Sequence, residues 1–124
     1  MAKSSSRETE IAAIVVDWLE SQSWDVYQEV VFDSANNTAD IVAVKDRQLW
    51  IVETKTSLNF EVLAQAERWQ SHLRSIGVPF IRGRSEGRSL AYRICELLGI
   101  GVLLVDLVSH KWPQAAILTE KISP

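Results

Sequence analysis

Two short apolar runs, Ile41-Val42-Ala43-Val44 and Leu49-Trp50-Ile51-Val52, stand on either side of the polar tetrapeptide Lys45-Asp46-Arg47-Gln48. Runs this short, rich in β-branched residues and joined by so few polar ones, pair as an antiparallel hairpin. Both strands read as buried, so the sheet that contains them must be covered. The rest of the chain supplies the cover in helical patterns. Ile11, Ile14, Val15, Trp18 and Leu19 recur at helical spacing and predict a helix over 6–22, with Ser5 and Glu8 as its capping box.

Further elements follow in order. Trp24 to Phe32 alternates loosely and predicts a strand, and Asp33-Ser34-Ala35-Asn36-Asn37 a turn. A second helix is expected from Phe60 to Ser75, with an apolar stripe of Val62, Ala66, Trp69 and Leu73 and a stop at Gly77. Val78-Pro79-Phe80-Ile81 begins a strand, Arg82 to Gly87 reads as a loop, and Ser89 to Leu98 as a third helix closed by Gly99. Gly101 to Leu107 is a buried strand, and residues 115–122 add an edge strand. The order α-β-β-β-α-β-α-β predicts an α/β fold with a mixed central sheet flanked by helices.

The 124 residues, 47% hydrophobic and 23% charged, suit one domain spanning 1–124 with a single core and exclude a wholly disordered chain. No apolar run approaches the ~18–20 residues of a membrane span, and the first residues lack signal-peptide order. A soluble, intracellular, cytoplasmic protein without a membrane partner is expected. Cys95 is the lone cysteine and reads as a buried, inert thiol. His72 and His110 have no metal-ligand spacing. Trp18, Trp50 and Trp69 read as core, while Trp112-Pro113 reads as a sheet-edge cover or a subunit contact.

Charge is unevenly divided. The net charge is −3, yet residues 1–61 carry five basic against eleven acidic side chains, and residues 62–124 carry eight against five. Arg68, Arg74, Arg82, Arg84, Arg88 and Arg93 fall in one stretch opposed only by Glu86. Guanidinium forks match phosphate oxygens, so Arg68, Arg82, Arg84 and Arg88 are candidate nucleic-acid contacts.

Asp40, Glu53 and Lys55 end the hairpin strands. A charge at the end of a buried strand is costly unless it is paired or binds an ion. The short connection brings Asp40 level with Glu53-Thr54-Lys55, and residues i and i+2 of a strand share a face. Two carboxylates so placed repel unless a cation sits between them. Hard oxygen donors suit Mg²⁺ or Mn²⁺, with the Thr54 backbone carbonyl as a further ligand. Lys55 would then orient or deprotonate a metal-activated water. Taken alone, Glu-x-Lys is a common surface pair. The helical phase, at ~100° per residue, turns Glu8 rather than Glu10 toward the apolar stripe.

The sequence Ala39-Asp40-Ile41-Val42-Ala43-Val44 followed by Leu49-Trp50-Ile51-Val52-Glu53-Thr54-Lys55 resembles the PD-(D/E)xK nuclease superfamily, the restriction-endonuclease-like fold. The likeness runs from about Ser5 to Ile81, and small Holliday-junction-resolvase-like and VRR-NUC-like members are similar in layout. Ala39 departs from the proline of the motif's name. The resemblance implies an αβββαβ core and divalent-metal-dependent hydrolysis of DNA phosphodiesters. It implies Asp40 and Glu53 as metal ligands, Lys55 as a catalytic residue, Glu8 as a helical acid that also reaches the metal, and Gln65 as a catalytic glutamine on the following helix. Arg68 and His72 share the Gln65 face, and Ser57 and Asn59 lie in the loop after Lys55. A chain this short leaves little room for a separate sequence-reading module. It points either to recognition of DNA shape (a junction, flap or break) or to a homodimer. The alternative is an inactive nucleic-acid-binding or partner-interaction module on the same fold.

Overall fold

The structure, a computed structural model, describes residues 2–32, 37–107 and 117–124. Helix α1 (Ala2–Ser21) leads into strands β1 (Asp25–Val31), β2 (Thr38–Lys45) and β3 (Gln48–Thr54). Helix α2 (Phe60–Glu67), strand β4 (Leu73–Pro79), helix α3 (Glu86–Leu98), and strands β5 (Gly101–Asp106) and β6 (Ile117–Ile122) complete it. The six strands lie side by side in sequence order. The β1–β2, β2–β3 and β5–β6 pairs are antiparallel, and β3–β4 and β4–β5 are parallel. The result is an α/β fold with a mixed sheet flanked by three helices, and no helix among the described residues is long and apolar enough to cross a membrane.

The hairpin closes more tightly than the sequence suggests. Lys45 pairs with Gln48, leaving a two-residue turn in which Asp46 (φ 49°) and Arg47 (φ 69°) both take left-handed backbone. That geometry matches the twist of the flanking strands. Helix α1 covers one sheet face, where Ile11, Val15 and Leu19 bury against Ile41, Ala43, Trp50 and Val52. Helices α2 and α3 cover the other, where Val62, Leu63, Ala66 and Cys95 bury against Ile76, Val78 and Val102.

Four expectations need correction. Helix α1 begins at Ala2, so Ser5 lies inside it and is not its cap. No glycine or proline interrupts 2–6, and the helical backbone runs on upstream. The second helix ends at Glu67, eight residues before Ser75, and Leu73-Arg74-Ser75 opens β4. Leu73 happened to fall in helical phase with Trp69, but Leu73 packs beside Trp50 across the parallel β3–β4 pair. Gly77 accordingly sits inside β4 and stops no helix. A Cβ there would lie 3.3 Å from Val15 Cγ2 and 3.5 Å from Thr54 Cγ2, so its smallness lets α1 settle on the sheet.

Helix α3 ends at Gly99 in left-handed conformation, as expected, but it starts at Glu86 and not at Ser89, because the Ser85 side chain accepts the Arg88 N–H and caps it inside the expected loop. Burial pushes the Cys95 thiol up to about 11, as suits an inert core cysteine. The expected turn at Asp33-Ser34-Ala35-Asn36 and the expected roles of Trp112 and Pro113 lie outside the described residues, as does His110.

Gly101 offers a direct test of this packing. A Cβ on it would press on the Ser75 hydroxyl and stand 2.8 Å from the Ile122 carbonyl and 2.9 Å from the Pro124 nitrogen. Two of these neighbours are backbone and cannot rotate away. Gly101→Ala is expected to lower unfolding free energy by ~1–3 kcal/mol in a denaturant melt, the usual cost of overpacking.

Candidate functional site

The site lies where β2 and β3 part. Their pairing runs to Ile41 opposite Val52, and one step further puts Asp40 opposite Glu53. Residues opposite each other in an antiparallel pair project from the same face. Beyond this point β2 stays with β1, Ala39 facing Val30 and Thr38 facing Val31. Thr54 therefore has no backbone acceptor on the β2 side. The Asp40 carboxylate fills the gap, with Oδ2 accepting the Thr54 N–H at 2.9 Å and the Thr54 hydroxyl at 3.4 Å. The next N–H, of Lys55, goes the other way, to the Gly77 carbonyl at 3.0 Å. Within a strand a residue's N–H and carbonyl point to the same edge, so the Thr54 carbonyl shares the Asp40 side.

Glu53 is only 3% exposed. Its Oε2 accepts the indole N–H of Trp69 at 2.8 Å. Trp69 sits in the turn just after α2, packed with Ala39, Val42 and Ile51. Burial pushes the Glu53 carboxyl up to about 7, and the charge of neighbouring Asp40 and a hydrogen bond with it act in the same direction. The Trp69 hydrogen bond and the Arg68 charge oppose this by favouring the ionised form. A buried carboxyl held beside a second carboxylate is a group that wants a cation or a proton.

Lys55 lies one residue past the end of β3, so the strand's face alternation does not carry it. Its Nζ stands 3.9 Å from Oε2 of Glu8 on α1. Glu10 is exposed, while Glu8 lines a cleft of about 260 Å³ together with Ala12, Gln28, Glu29, Asp40 and Thr54. The structure thus brings Asp40, Glu53 and Thr54 together and turns Lys55 and Glu8 toward each other at the same end of the sheet.

Other candidates fall differently. Gln65 is half-buried on α2, and its carbonyl accepts from the Arg68 Nε at 3.3 Å. Arg68 donates to Asn37 Oδ1 at 3.1 Å and stacks over Trp69, close enough for its charge to reach Glu53. Asn59 is taken up as the cap of α2, accepting from the Val62 N–H at 3.0 Å and donating to the Ser57 hydroxyl at 3.3 Å. The His72 ring stands against Phe32. Arg82 and Arg84 are exposed, and Arg88 donates to the Gly83 carbonyl at 2.8 Å. Their segment leaves β4 at the end that carries Thr54, since Thr54 pairs with Gly77 in the parallel β3–β4 ladder.

Two site residues escape sequence reasoning. Trp69 is one, because its stripe position concealed the indole N–H. Glu29 is the other. It stands between Gln28 and Val30, which face Ile41 and Ala39, and so opposite Asp40 on the β1 side. Its backbone is left-handed, with φ 53° in mid-strand. Nothing in the residue types of β1 marks that position.

Among the described residues no three His, Cys, Asp or Glu side chains gather as a metal cluster. The donors brought together are the Asp40 and Glu53 carboxylates and one backbone carbonyl, while Glu8 is engaged by Lys55 and Glu29 lines the cleft without joining them. That all-oxygen set fits a hard dication that keeps several waters, Mg²⁺ or Mn²⁺, and offers nothing to a soft one. A larger cavity of about 430 Å³ lies at the opposite end of the sheet around Arg47, His72 and Arg74 and includes no carboxylate side chain in its lining. No family model, curated protein or solved structure matches the chain.

Proposed function

We propose that the protein is a divalent-metal-dependent nuclease of the PD-(D/E)xK type, with a restriction-endonuclease-like core, that hydrolyses phosphodiester bonds in DNA. The observation that carries this reading is the Asp40–Glu53 pair. Two carboxylates, one of them buried, lie opposite each other where two strands part, with Lys55 paired to Glu8 at the same end of the sheet. A bound Mg²⁺ or Mn²⁺ supplies polarisation of the phosphoryl oxygen and a water acidic enough to attack.

The chain's own groups do the rest. Asp40, Glu53 and the Thr54 carbonyl would hold the ion. Lys55 Nζ orients the attacking water and offsets the charge that builds on the phosphorus oxygens. Glu8 Oε2, 3.9 Å from Nζ, orients the Lys55 side chain. The water oxygen bonds to phosphorus as the bond to the 3′ oxygen breaks, leaving a 3′-hydroxyl and a 5′-phosphate. Arg68, Arg82, Arg84 and Arg88 neutralise phosphates on either side and confer affinity without sequence choice. Shape-selective recognition of a junction, flap or break, by one chain or by a homodimer, suits so small a domain.

The test is hydrolysis of end-labelled duplex, nicked and four-way-branched DNA by the full chain with Mn²⁺, Mg²⁺ or chelator. Metal-dependent products with 5′-phosphate ends are expected. Equal trace cleavage with and without metal on every substrate would overturn the reading and leave a binding module.

A further inference from the structure

We infer that Trp69 is a positioning residue that makes Glu53 a one-oxygen ligand and so biases the Asp40–Glu53 pair toward small six-coordinate dications over Ca²⁺. The inference rests on the reading of this pair as a cation site. An indole N–H is a donor with no acceptor capacity and cannot itself bind a metal. At 2.8 Å it occupies Glu53 Oε2. The bond is buried at both ends, with Trp69 7% and Glu53 3% exposed.

The ring is wedged as well as bonded. Phe32 packs against it at 4.8 Å between centroids, Ala39, Val42 and Ile51 line it, and the Arg68 guanidinium lies 5.7 Å above it. That packing holds the indole N–H against Oε2. Asp40 is restricted in parallel, because Oδ2 accepts the Thr54 N–H at 2.9 Å. Oε2 and Oδ2 each spend a lone pair on an N–H donor, so Oε1 and Oδ1 meet an ion most favourably, and the Asp40–Glu53 hydrogen bond of the ion-free site is given up when it binds. Mg²⁺ and Mn²⁺ take single oxygens in octahedral geometry and fill their shells with water, whereas Ca²⁺ takes six to eight donors and favours two-oxygen carboxylates. Locking one oxygen of each carboxylate therefore disfavours the larger ion.

The fold supplies its own control. Trp50, 6% exposed, donates its indole N–H to the Ser75 hydroxyl at 2.9 Å on the α1 face, with no carboxylate involved. Calorimetric titration of the full chain with MnCl₂ and with CaCl₂ is compared for the parent, Trp69→Phe and Trp50→Phe. The parent is expected to prefer Mn²⁺ over Ca²⁺ by tenfold or more. Trp69→Phe keeps the apolar ring, frees Oε2, and is expected to narrow that ratio about tenfold, chiefly by gaining Ca²⁺ affinity. Trp50→Phe keeps the parental ratio. An unchanged ratio in Trp69→Phe, with binding intact, overturns this inference alone. A parent that binds neither ion overturns the site reading as well.

A second measurement on the parent needs no variant. The Trp69 indole N–H resonance is expected to stay hydrogen-bonded and slow to exchange when Mg²⁺ is added. Its release into fast exchange on Mg²⁺ binding would overturn the inference.

Discussion

Replacing Lys55 by methionine is expected to leave the fold and ion binding in place while slowing hydrolysis by ~10²–10⁴-fold, the range usual for a proton-handling side chain. The separation follows from where Lys55 sits. Its side chain and that of Glu8 are 31% and 32% exposed and meet at 3.9 Å. A pair this open adds at most a fraction of the ~0–1 kcal/mol typical of surface ion pairs, so unfolding free energy is expected to move by less than ~0.5 kcal/mol. No ion-binding oxygen is removed, and deleting a neighbouring positive charge can only favour a dication. Mn²⁺ affinity should therefore hold or rise slightly. Single-turnover cleavage at saturating Mn²⁺, beside calorimetry on the same samples, reads both effects. Asp40→Asn provides the contrast, since it removes the oxygen charge that binds and should lose Mn²⁺ and activity together. Lys55→Met cleaving within tenfold of the parent would remove Lys55 from the chemistry.

The hairpin was legible because its information is local. A four-residue polar connection fixes register to within a residue, and register alone sets Asp40 against Glu53. The phase of α1 likewise turned Glu8 inward of Glu10, because a long helix averages out single-residue noise. The turn after α2 was not legible. Residues 68–72 contain no glycine or proline, and Leu73 matched the helical stripe, so only competition for a place between β3 and β5 turns that segment into a strand. Because nothing in the sequence marks that turn, the helical stripe makes the Trp69 indole look like plain core when it is the hydrogen-bond donor to Glu53. Glu29 was hidden for another reason. Its neighbour across β1–β2 depends on the register of that strand pair, and its left-handed backbone is one that glutamate ordinarily avoids, so its residue type gives no sign of either.

Glu53→Gln is expected to stabilise the metal-free protein at alkaline pH while abolishing Mn²⁺ binding. The Glu53 carboxyl sits at about 7 in the fold against an ordinary 4.5. Below pH 4.5 it is protonated folded or unfolded and contributes no pH dependence. Between 4.5 and 7 the folded state keeps a proton that the unfolded chain has lost, so stability falls as pH rises. Above 7 the fold carries a buried carboxylate at a cost of ~3 kcal/mol, from the 1.36 kcal/mol that each pH unit represents. Glutamine is neutral at every pH and nearly isosteric, its carbonyl can still accept the Trp69 N–H, and its amide can donate to Asp40. Unfolding free energies of parent and variant in chelator should therefore converge near pH 4 and separate progressively toward pH 8, the variant ahead by ~2–3 kcal/mol. Saturating Mn²⁺ should close or reverse that gap by stabilising the parent alone, since only the parent binds it. Parallel pH profiles for the two proteins in chelator, or a variant that loses stability at pH 8, would mean that Glu53 carries no buried charge there and is no anchor for a cation.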